Sequence, residues 1–257
     1  MSKLLGIFAH PDDESVAPGG TLAKYAKAGW NVELVCATRG DAGNWGAVEP
    51  SAAATLSEIR TKELGEASVQ LGVRSVTFLD YKDGALKDTH PGGIENDLIR
   101  SMEEMKPDVV ITHEPAGITN HPDHIKVSYA ATFAFQVYAG TRADENPGDP
   151  NPPKLYYACF PESVISYVVN HKYFPGELFD KPVHGIEDKR ITTVINIKRF
   201  ASVKHKALLS HATQQSILAK YLDIPNNPFF AHEYFVLRFI GTKEVYMGKN
   251  DRVSDRL

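Results

Sequence analysis

The chain has 257 residues, of which 42% are hydrophobic and 10% are aromatic, and its formal net charge is −4. This hydrophobic content excludes a disordered chain and is sufficient for a sizeable core. The negative charge and the lack of a basic cluster argue against a nucleic-acid-binding surface. Length alone permits one large domain or two small ones, and we favour a single domain over residues 1–257.

Cysteine content and hydropathy indicate the compartment. Cys36 and Cys159 are the only cysteines, and both lie in apolar runs, which favours buried, reduced thiols over a disulfide framework. The N-terminus has no signal-peptide pattern, and no segment approaches the ~20 apolar residues that span a bilayer. We therefore expect a cytoplasmic protein that contacts neither membrane nor nucleic acid.

Strands and helices alternate in the first half of the chain. Apolar runs predict strands over residues 3–8, 32–36, 73–79 and 109–111. Helical spacing of apolar residues predicts helices over residues 18–29, 53–71 and 94–105. This alternation predicts an α/β fold with a mainly parallel sheet and helices on both faces. Ligands of such sheets bind beyond the carboxyl ends of the strands.

The segment directly after the first predicted strand is strongly charged. It reads Ala-His-Pro-Asp-Asp-Glu over residues 9–14, and it contains His10, Asp12, Asp13 and Glu14. Three crowded carboxylates repel one another, and burying them without compensation costs several kcal/mol or forces protonation. A divalent cation would remove that cost.

A second His-Pro-Asp segment follows the fourth predicted strand, at His121, Asp123 and His124. A lone His-x-x-Asp is usually a solvated loop, but two such loops at one sheet edge favour a metal site. Catalytic zinc takes three protein ligands and leaves one position open. We predict His10, Asp13 and His124 as the ligands, which leaves Asp12, His121 and Asp123 free for catalysis.

These two segments, AHPDDE and HPDH, resemble the signature motifs of the LmbE-like or PIG-L family of metal-dependent N-deacetylases. The resemblance extends over about the first 140 residues. It implies a Rossmann-like fold, a zinc ion with iron(II) as the alternative, and removal of an N-acetyl group from an N-acetylglucosamine-type substrate. It also makes a homotrimer or homohexamer plausible.

The same resemblance assigns roles to individual residues. It implies that His10, Asp13 and His124 bind the metal, that Asp12 is the general base, and that His121 stabilises the oxyanion. A carboxylate can take the proton of an attacking water and pass it to the leaving amine. We further expect Asp123 to hold a protonated His121 imidazole in place.

Substrate contacts are predicted at Asp41, Arg60 and Asp83, which resemble the positions that line the family's sugar site. Carboxylates with an arginine suit the binding of sugar hydroxyls. The pattern also permits a surface ion pair between Arg60 and Glu63. Glu14 either orients a metal ligand or caps the following helix.

The second half of the chain carries weaker signals, so we expect a less regular portion over residues 161–257. Strands are predicted over residues 155–160, 191–197 and 233–240, and helices over 124–138 and 201–210. Residues 141–153 are expected to form a loop, either a lid over the site or a surface connection, and residues 249–257 a frayed tail. His211 is interpreted as a site-edge residue at most, since a helix-end histidine is more often a cap or a core partner.

Three other functions are alternatives to this one. The same metal site could act on a different amide or on a thiol conjugate. A nucleotide-binding Rossmann module is disfavoured because residues 10–14 fill the turn where glycines are needed. A structural zinc site is disfavoured because no cysteine cluster is present. The resemblance implies a small amino sugar as the partner.

Overall fold

The computed structural model describes residues 1–43, 54–246 and 253–257. Its strands are β1 Lys3–Phe8, β2 Asn31–Thr38, β3 Ser75–Tyr81, β4 Val109–His113, β5 Lys154–Cys159, β6 Glu177–Leu178, β7 Lys181–Pro182, β8 Thr193–Asn196, β9 His232–Ile240 and β10 Lys243–Glu244. Its helices are α1 Asp13–Val16, α2 Gly19–Lys27, α3 Leu56–Leu71, α4 Gly93–Met105, α5 Gly117–Asn120, α6 Pro122–Glu145, α7 Glu162–Asn170, α8 Ala201–Ser210 and α9 Gln215–Leu222.

The main sheet is mostly parallel, with strand order β10-β9-β5-β4-β1-β2-β3, and β8 pairs with β9 outside this path. Strands β1 to β5 pair in parallel, whereas β8, β9 and β10 pair antiparallel. The chain reaches β3 by moving outward on one side of β1 and then returns to β4 on the other side. The crevice between the carboxyl ends of β1 and β4 is therefore the topological switch point, where ligands of such folds bind.

The sheet separates two apolar cores. Along β1, Leu4 and Phe8 pack into one core with residues of α2, α3 and α8. Leu5 and Ile7 pack into the other core with residues of α4 and α6. A strand that is buried on both faces reads as a continuous apolar run, which is why β1 could be predicted. The predicted α/β fold with helices on both faces is confirmed.

Two expectations about the less regular segments are wrong in part. Helix α6 continues to Glu145, so residues 141–145 are helical instead of belonging to a loop; Pro147 and Gly148, which are helix breakers, come only after it. The less regular portion over residues 161–257 includes α7 and the short β6–β7 hairpin. In the tail, Leu257 is buried, and its backbone N–H donates to Tyr25 Oη at 2.7 Å. This segment packs because Leu257 belongs to the same apolar core as Tyr25.

The predicted start of the second helix, Ala53, lies outside the described ranges, but the helix begins only at Leu56, after Thr55 in extended conformation as its N-cap, so the predicted start is too early. Residues 249–252 of the tail also lie outside the described ranges. Among the residues that the structure describes, no helix combines the length and the apolar content needed to cross a membrane.

Candidate metal centre and active site

The two His-Pro-Asp segments meet at the switch-point crevice. His10 lies two residues beyond the end of β1, and β1 pairs in parallel with β4. His121 is the N-cap residue of α6, and His124 lies in the first turn of that helix. His10 Nδ1 and His124 Nε2 are 3.1 Å apart although the two residues are 114 positions apart in sequence. The fold therefore brings both segments together.

Donor atoms of three residues converge at this point. Besides the His10–His124 contact, Asp13 Oδ1 is 3.2 Å from His124 Nε2, and Asp13 Oδ2 is 3.7 Å from His10 Nδ1. Ligands at ~2.0–2.1 Å from a tetrahedral zinc ion are about 3.3 Å apart. The spacing of these atoms therefore fits one small divalent cation.

The outer nitrogen of each histidine is hydrogen-bonded. His10 Nε2 lies 3.0 Å from Asp83 Oδ1 and 3.3 Å from Asp123 Oδ2. His124 Nδ1 lies 3.0 Å from the carbonyl oxygen of Gly117, so it carries the proton. Carboxylate or carbonyl partners of this kind set the tautomer of metal-binding histidines. They leave a lone pair on His124 Nε2, and on His10 Nδ1 once its proton is lost, directed at the shared point.

The electrostatics of the three donors follow from their burial and contacts. Burial lowers the pKa of His10, but hydrogen bonds to Asp123 and Asp83 and the charge of Asp13 outweigh it and raise this pKa to about 10. Burial holds the pKa of His124 well below its usual value. Burial raises the pKa of Asp13, but the adjacent imidazoles of His124, His113 and His10 bring it well below the usual value. Cation binding would therefore displace a proton from His10, whereas Asp13 is already ionised.

Asp12 is held in an unusual backbone conformation beside these donors. Its φ angle is 118°, in the region that favours glycine. Its backbone N–H donates to Glu14 Oε2 at 3.0 Å, and its carboxylate lies 3.5 Å from Arg60 Nη2. Burial, partly offset by the charge of Arg60, raises the pKa of Asp12 to about 7. A carboxylate with a pKa near neutrality is suited to general-base catalysis.

Glu14 and His211 form a buried pair behind Asp12. His211 Nε2 lies 2.9 Å from Glu14 Oε1, and both residues are almost completely buried. The second carboxylate oxygen of Glu14 accepts the Asp12 N–H. Glu14 therefore supports the Asp12 backbone, and His211 is a buried partner of Glu14 instead of a residue at the edge of the site.

The Asp123 carboxylate lies beside His10, whereas the sequence predicted that it would hold the His121 imidazole. Its carboxylate accepts hydrogen bonds from the backbone N–H groups of Gly84 and Leu86, at 2.7 and 3.2 Å, and lies beside His10 Nε2. Its contact with His121 is made by the Asp123 backbone N–H, which donates to His121 Nδ1 at 3.1 Å. Burial and the charge of His10 lower the pKa of His121. Because Nδ1 is an acceptor and the pKa is lowered, His121 is neutral and carries its proton on Nε2.

The three predicted substrate contacts have different surroundings. Arg60 is buried and donates to the carbonyl oxygens of Pro11 and Gly40, at 2.6 and 3.0 Å. Gly40 has a φ of 71°, and a Cβ there would lie 2.4 Å from the Arg60 guanidinium, so this close approach needs glycine. Arg60 thus joins the loops after β1 and β2. The alternative pair with Glu63 is wrong, because Glu63 accepts hydrogen bonds from Thr213.

The two predicted acidic contacts lie on neighbouring loops. Asp83 is buried and is directed at His10 and at the Ala42 N–H, 2.9 Å away. Asp41 is exposed and accepts a hydrogen bond from the Asp83 N–H at 3.4 Å. Of the three residues, Asp41 is therefore the most open to a bound molecule.

Sequence reasoning missed His113, the last residue of β4. Its ring stacks on His124 at 4.2 Å, and its Nε2 lies 3.3 Å from both Asp13 Oδ2 and the Ala9 backbone N. Asp13, His113 and His124 also form a possible donor group by themselves. The signal was available, because His113 ends an apolar run at the same sheet edge as His10.

A mainly parallel α/β sheet with a His-Asp-His donor set beside a carboxylate defines a candidate metal-dependent hydrolase. Residues 5–135 match the PIG-L family, which is described as GlcNAc-PI de-N-acetylase. A relative from Rhodococcus erythropolis strain PR4, the 1D-myo-inositol 2-acetamido-2-deoxy-alpha-D-glucopyranoside deacetylase, is 32% identical over 91% of this chain and 90% of its own length. The chain belongs to the PIG-L family of N-deacetylating hydrolases.

Solved structures share the fold at lower identity. The N,N'-diacetylchitobiose deacetylase from Pyrococcus horikoshii has a TM-score of 0.65 at 21% identity and covers 93% of this chain and 84% of its own. GalB, the 4-carboxy-2-hydroxymuconate hydratase from Pseudomonas putida KT2440, has a TM-score of 0.64 at 18% identity, with 96% and 99% coverage. One fold thus serves different reactions, so the chemistry has to be argued from the site.

Proposed function

We propose that this protein removes the N-acetyl group from an N-acetylglucosamine-type sugar or glycoconjugate. The observation that carries the proposal is the convergence of His10, Asp13 and His124 at zinc-ligand spacing beside Asp12. The deacetylase names of the relatives support the choice of reaction and of sugar.

The metal belongs to the proposal. His10 Nδ1, a carboxylate oxygen of Asp13 and His124 Nε2 would hold zinc or iron(II). Such an ion acidifies water and polarises the acetyl carbonyl. Asp83, Asp123 and the Gly117 carbonyl keep the two imidazoles in the tautomers that binding requires.

Asp12 is proposed as the proton carrier. With a pKa raised to about 7, its carboxylate can take the proton of the attacking water and then hold it for delivery to the leaving amine. The Glu14 carboxylate and the Arg60 guanidinium hold the Asp12 backbone and side chain in place.

His121 is proposed as a neutral hydrogen-bond donor to the oxyanion. The Asp123 backbone N–H occupies Nδ1, so the proton on Nε2 is the one available to the substrate. A preorganised donor stabilises the negative charge that develops on the carbonyl oxygen. This assignment replaces the protonated imidazole expected from sequence.

The test is acetate release from the methyl glycoside of N-acetylglucosamine, with bound metal measured by elemental analysis. Asp12→Asn is expected to reduce kcat by about 10²–10⁴-fold while metal content is unchanged. Asp80→Asn is the matched control, since Asp80 also has a positive φ angle, 59°, but lies on β3 with an exposed side chain. Absence of bound metal, or full activity in Asp12→Asn, would refute the proposal.

The main alternative is an amidase acting on another amide or a thiol conjugate through the same residues. Parallel assays with an N-acetyl amino acid and with an N-acetylcysteine thioether separate the two. Turnover of these compounds without turnover of the sugar would favour the alternative.

A further inference from the structure

The segment between β4 and α6, which includes the short helix α5, has an unfavoured backbone conformation. Gly117, Ile118 and Asn120 have φ angles of 71°, 62° and 61°. A positive φ is a genuine outlier for a β-branched residue such as isoleucine. Conformations of this kind persist only where the surrounding contacts enforce them. Specific contacts must therefore hold this segment.

Those contacts are made by Glu114, which directly follows β4 and is 4% exposed. Its Oε2 accepts a hydrogen bond from the Ala116 backbone N–H at 2.7 Å, and its Oε1 accepts one from the Ile118 backbone N–H at 2.5 Å. Its backbone carbonyl accepts the Gly117 N–H at 2.8 Å. Three successive N–H groups of the segment thus bind one residue, and both carboxylate oxygens are used.

The segment presents one carbonyl group to the candidate metal centre. The Gly117 carbonyl oxygen lies 3.0 Å from His124 Nδ1. This carbonyl and the Ile118 N–H belong to the same trans peptide unit, in which the two groups point in opposite directions. The Glu114 carboxylate therefore holds one side of the peptide unit, and the His124 imidazole bonds to the other side.

This peptide unit packs closely against the first turn of α6. A Cβ on Gly117 would lie 2.9 Å from His124 Cβ and 3.1 Å from the Ile125 backbone N. Glycine is therefore needed here both for its positive φ angle and for the close approach. Because the peptide unit lies between α6 and the Glu114 carboxylate, a change at Glu114 is passed on to His124.

The other imidazole of the centre has a comparable partner. His10 Nε2 contacts the carboxylates of Asp83 and Asp123 directly, whereas His124 Nδ1 reaches a carboxylate through one peptide unit. Hydrogen bonds in a chain polarise one another, so a carboxylate on the N–H side makes the carbonyl a stronger acceptor. A stronger acceptor at Nδ1 increases the basicity of Nε2, the atom that faces Asp13 and His10.

We propose that Glu114 is a positioning residue for metal binding. It acts on His124 through the peptide unit that joins Gly117 and Ile118, and it thereby sets the orientation, the tautomer and the metal affinity of this ligand. Glu114 does not itself bind the metal, because both of its carboxylate oxygens accept backbone N–H groups. This inference rests on the proposed function, since it presupposes the metal centre.

The first experiment measures the zinc Kd of the metal-free protein by competition with a chromophoric chelator at one fixed pH. Glu114→Ala is expected to raise this Kd about 10–100-fold, the usual effect of losing a contact that orients a metal-binding histidine. Glu114→Gln is expected to raise it less, because the one amide oxygen can still accept one of the two N–H groups.

Glu162→Gln is the matched control. The Glu162 carboxylate also accepts a backbone N–H from a distant residue, Gly185 at 2.8 Å, but it lies at the start of α7. The zinc Kd of this variant is expected to equal that of the native protein.

A second readout does not depend on metal. The nitrogen chemical shifts of the His124 imidazole, measured by NMR in the metal-free protein, report which ring nitrogen carries the proton. The native protein should carry it on Nδ1, and Glu114→Ala should show a larger fraction with the proton on Nε2. A glutamate that only stabilised the fold would lower the melting temperature of its variants without changing the zinc Kd or these shifts.

Two results overturn the inference, and they are distinguishable. If the native protein binds zinc and the folded Glu114 variants bind it with the native Kd, the assignment of Glu114 is wrong and the metal centre stands. If Glu114→Ala does not fold, Glu114→Gln decides this point. If the native protein binds neither zinc nor iron(II), the proposed metal centre itself is wrong, and this inference falls with it.

Discussion

The two halves of the site, the buried floor and the open groove, are built differently. On the floor, His10, Asp13 and His124 are buried. Hydrogen bonds to Asp83, Asp123 and the Gly117 carbonyl fix the two imidazole rings. The groove beside His121 is lined by Lys87, Tyr129 and Lys181, whose side chains are exposed. Its anchored parts are the hairpin backbone, the Phe179 ring that packs on His121, and Lys126, which pairs with Glu95. A reaction needs fixed atoms, whereas recognition of a substituent tolerates mobile side chains. Substitutions on the floor should therefore affect all substrates, and substitutions in the groove only some.

The largest expected effect is at the floor. His124→Ala removes one of three converging donors, so bound metal and acetate release should both fall below detection for every sugar. Elemental analysis and the acetate assay measure this. Thr132→Ala on the same helix, a part-buried hydroxyl bonded to Tyr157, is the control and should retain metal. A His124→Ala protein with a full complement of metal would contradict the assignment of this ligand.

A smaller effect is expected at His211, which acts on Asp12 through Glu14. His211→Ala removes the imidazole partner of Glu14 and leaves the Ser15 hydroxyl as the remaining buried donor to that oxygen, which loosens the Asp12 backbone. We therefore expect kcat to drop about 10–100-fold with unchanged KM and metal content. The loss should be the same for every sugar that is tested.

The conservative variant makes this prediction specific. Only Nε2 of His211 contacts Glu14, and a glutamine side chain can supply an N–H donor at similar reach. His211→Gln should therefore recover part of kcat. If His211→Gln is as impaired as His211→Ala while both remain folded by circular dichroism, the hydrogen bond is not what positions Asp12.

The smallest effect is expected in the groove. Tyr129→Ala removes an exposed ring from the groove wall. KM for glycosides with a bulky substituent should therefore rise a few-fold, which corresponds to about 0.5–1.5 kcal/mol of lost binding free energy, while kcat and metal content stay constant. Steady-state kinetics with free N-acetylglucosamine and with a phenyl glycoside measure this. An equal loss for both sugars would mean that floor and groove are not separable.

The sequence predicts the floor better than the groove for a physical reason. Strands β1 and β4 are continuous apolar runs, and parallel pairing brings their carboxyl ends together, so the meeting of His10 and His124 follows from local patterns. The neighbours of these residues follow from packing instead. That Asp123 faces His10 and not His121, or that Arg60 bonds two loop carbonyls, depends on side-chain directions that no local pattern encodes.

The groove depends on contacts that are distant in sequence. Asn120 bonds Lys181 and Pro182 across about sixty residues, and the hairpin that they hold has only two residues in each strand. A strand of this length has too few residues to show an alternating pattern. The same holds for His211, which lies 197 positions from Glu14.

The backbone conformation of Asp12 is strained, and the general-base role proposed for its side chain explains this strain. At a φ of 118°, a residue with a Cβ is strained by ~1–3 kcal/mol, and the buried carboxylate adds a desolvation penalty. Replacement by glycine would relieve both, so Asp12→Gly should melt at a higher temperature than the native protein while it lacks the general base. Part of the thermal stability that this fold could have is therefore given up at one residue in favour of turnover.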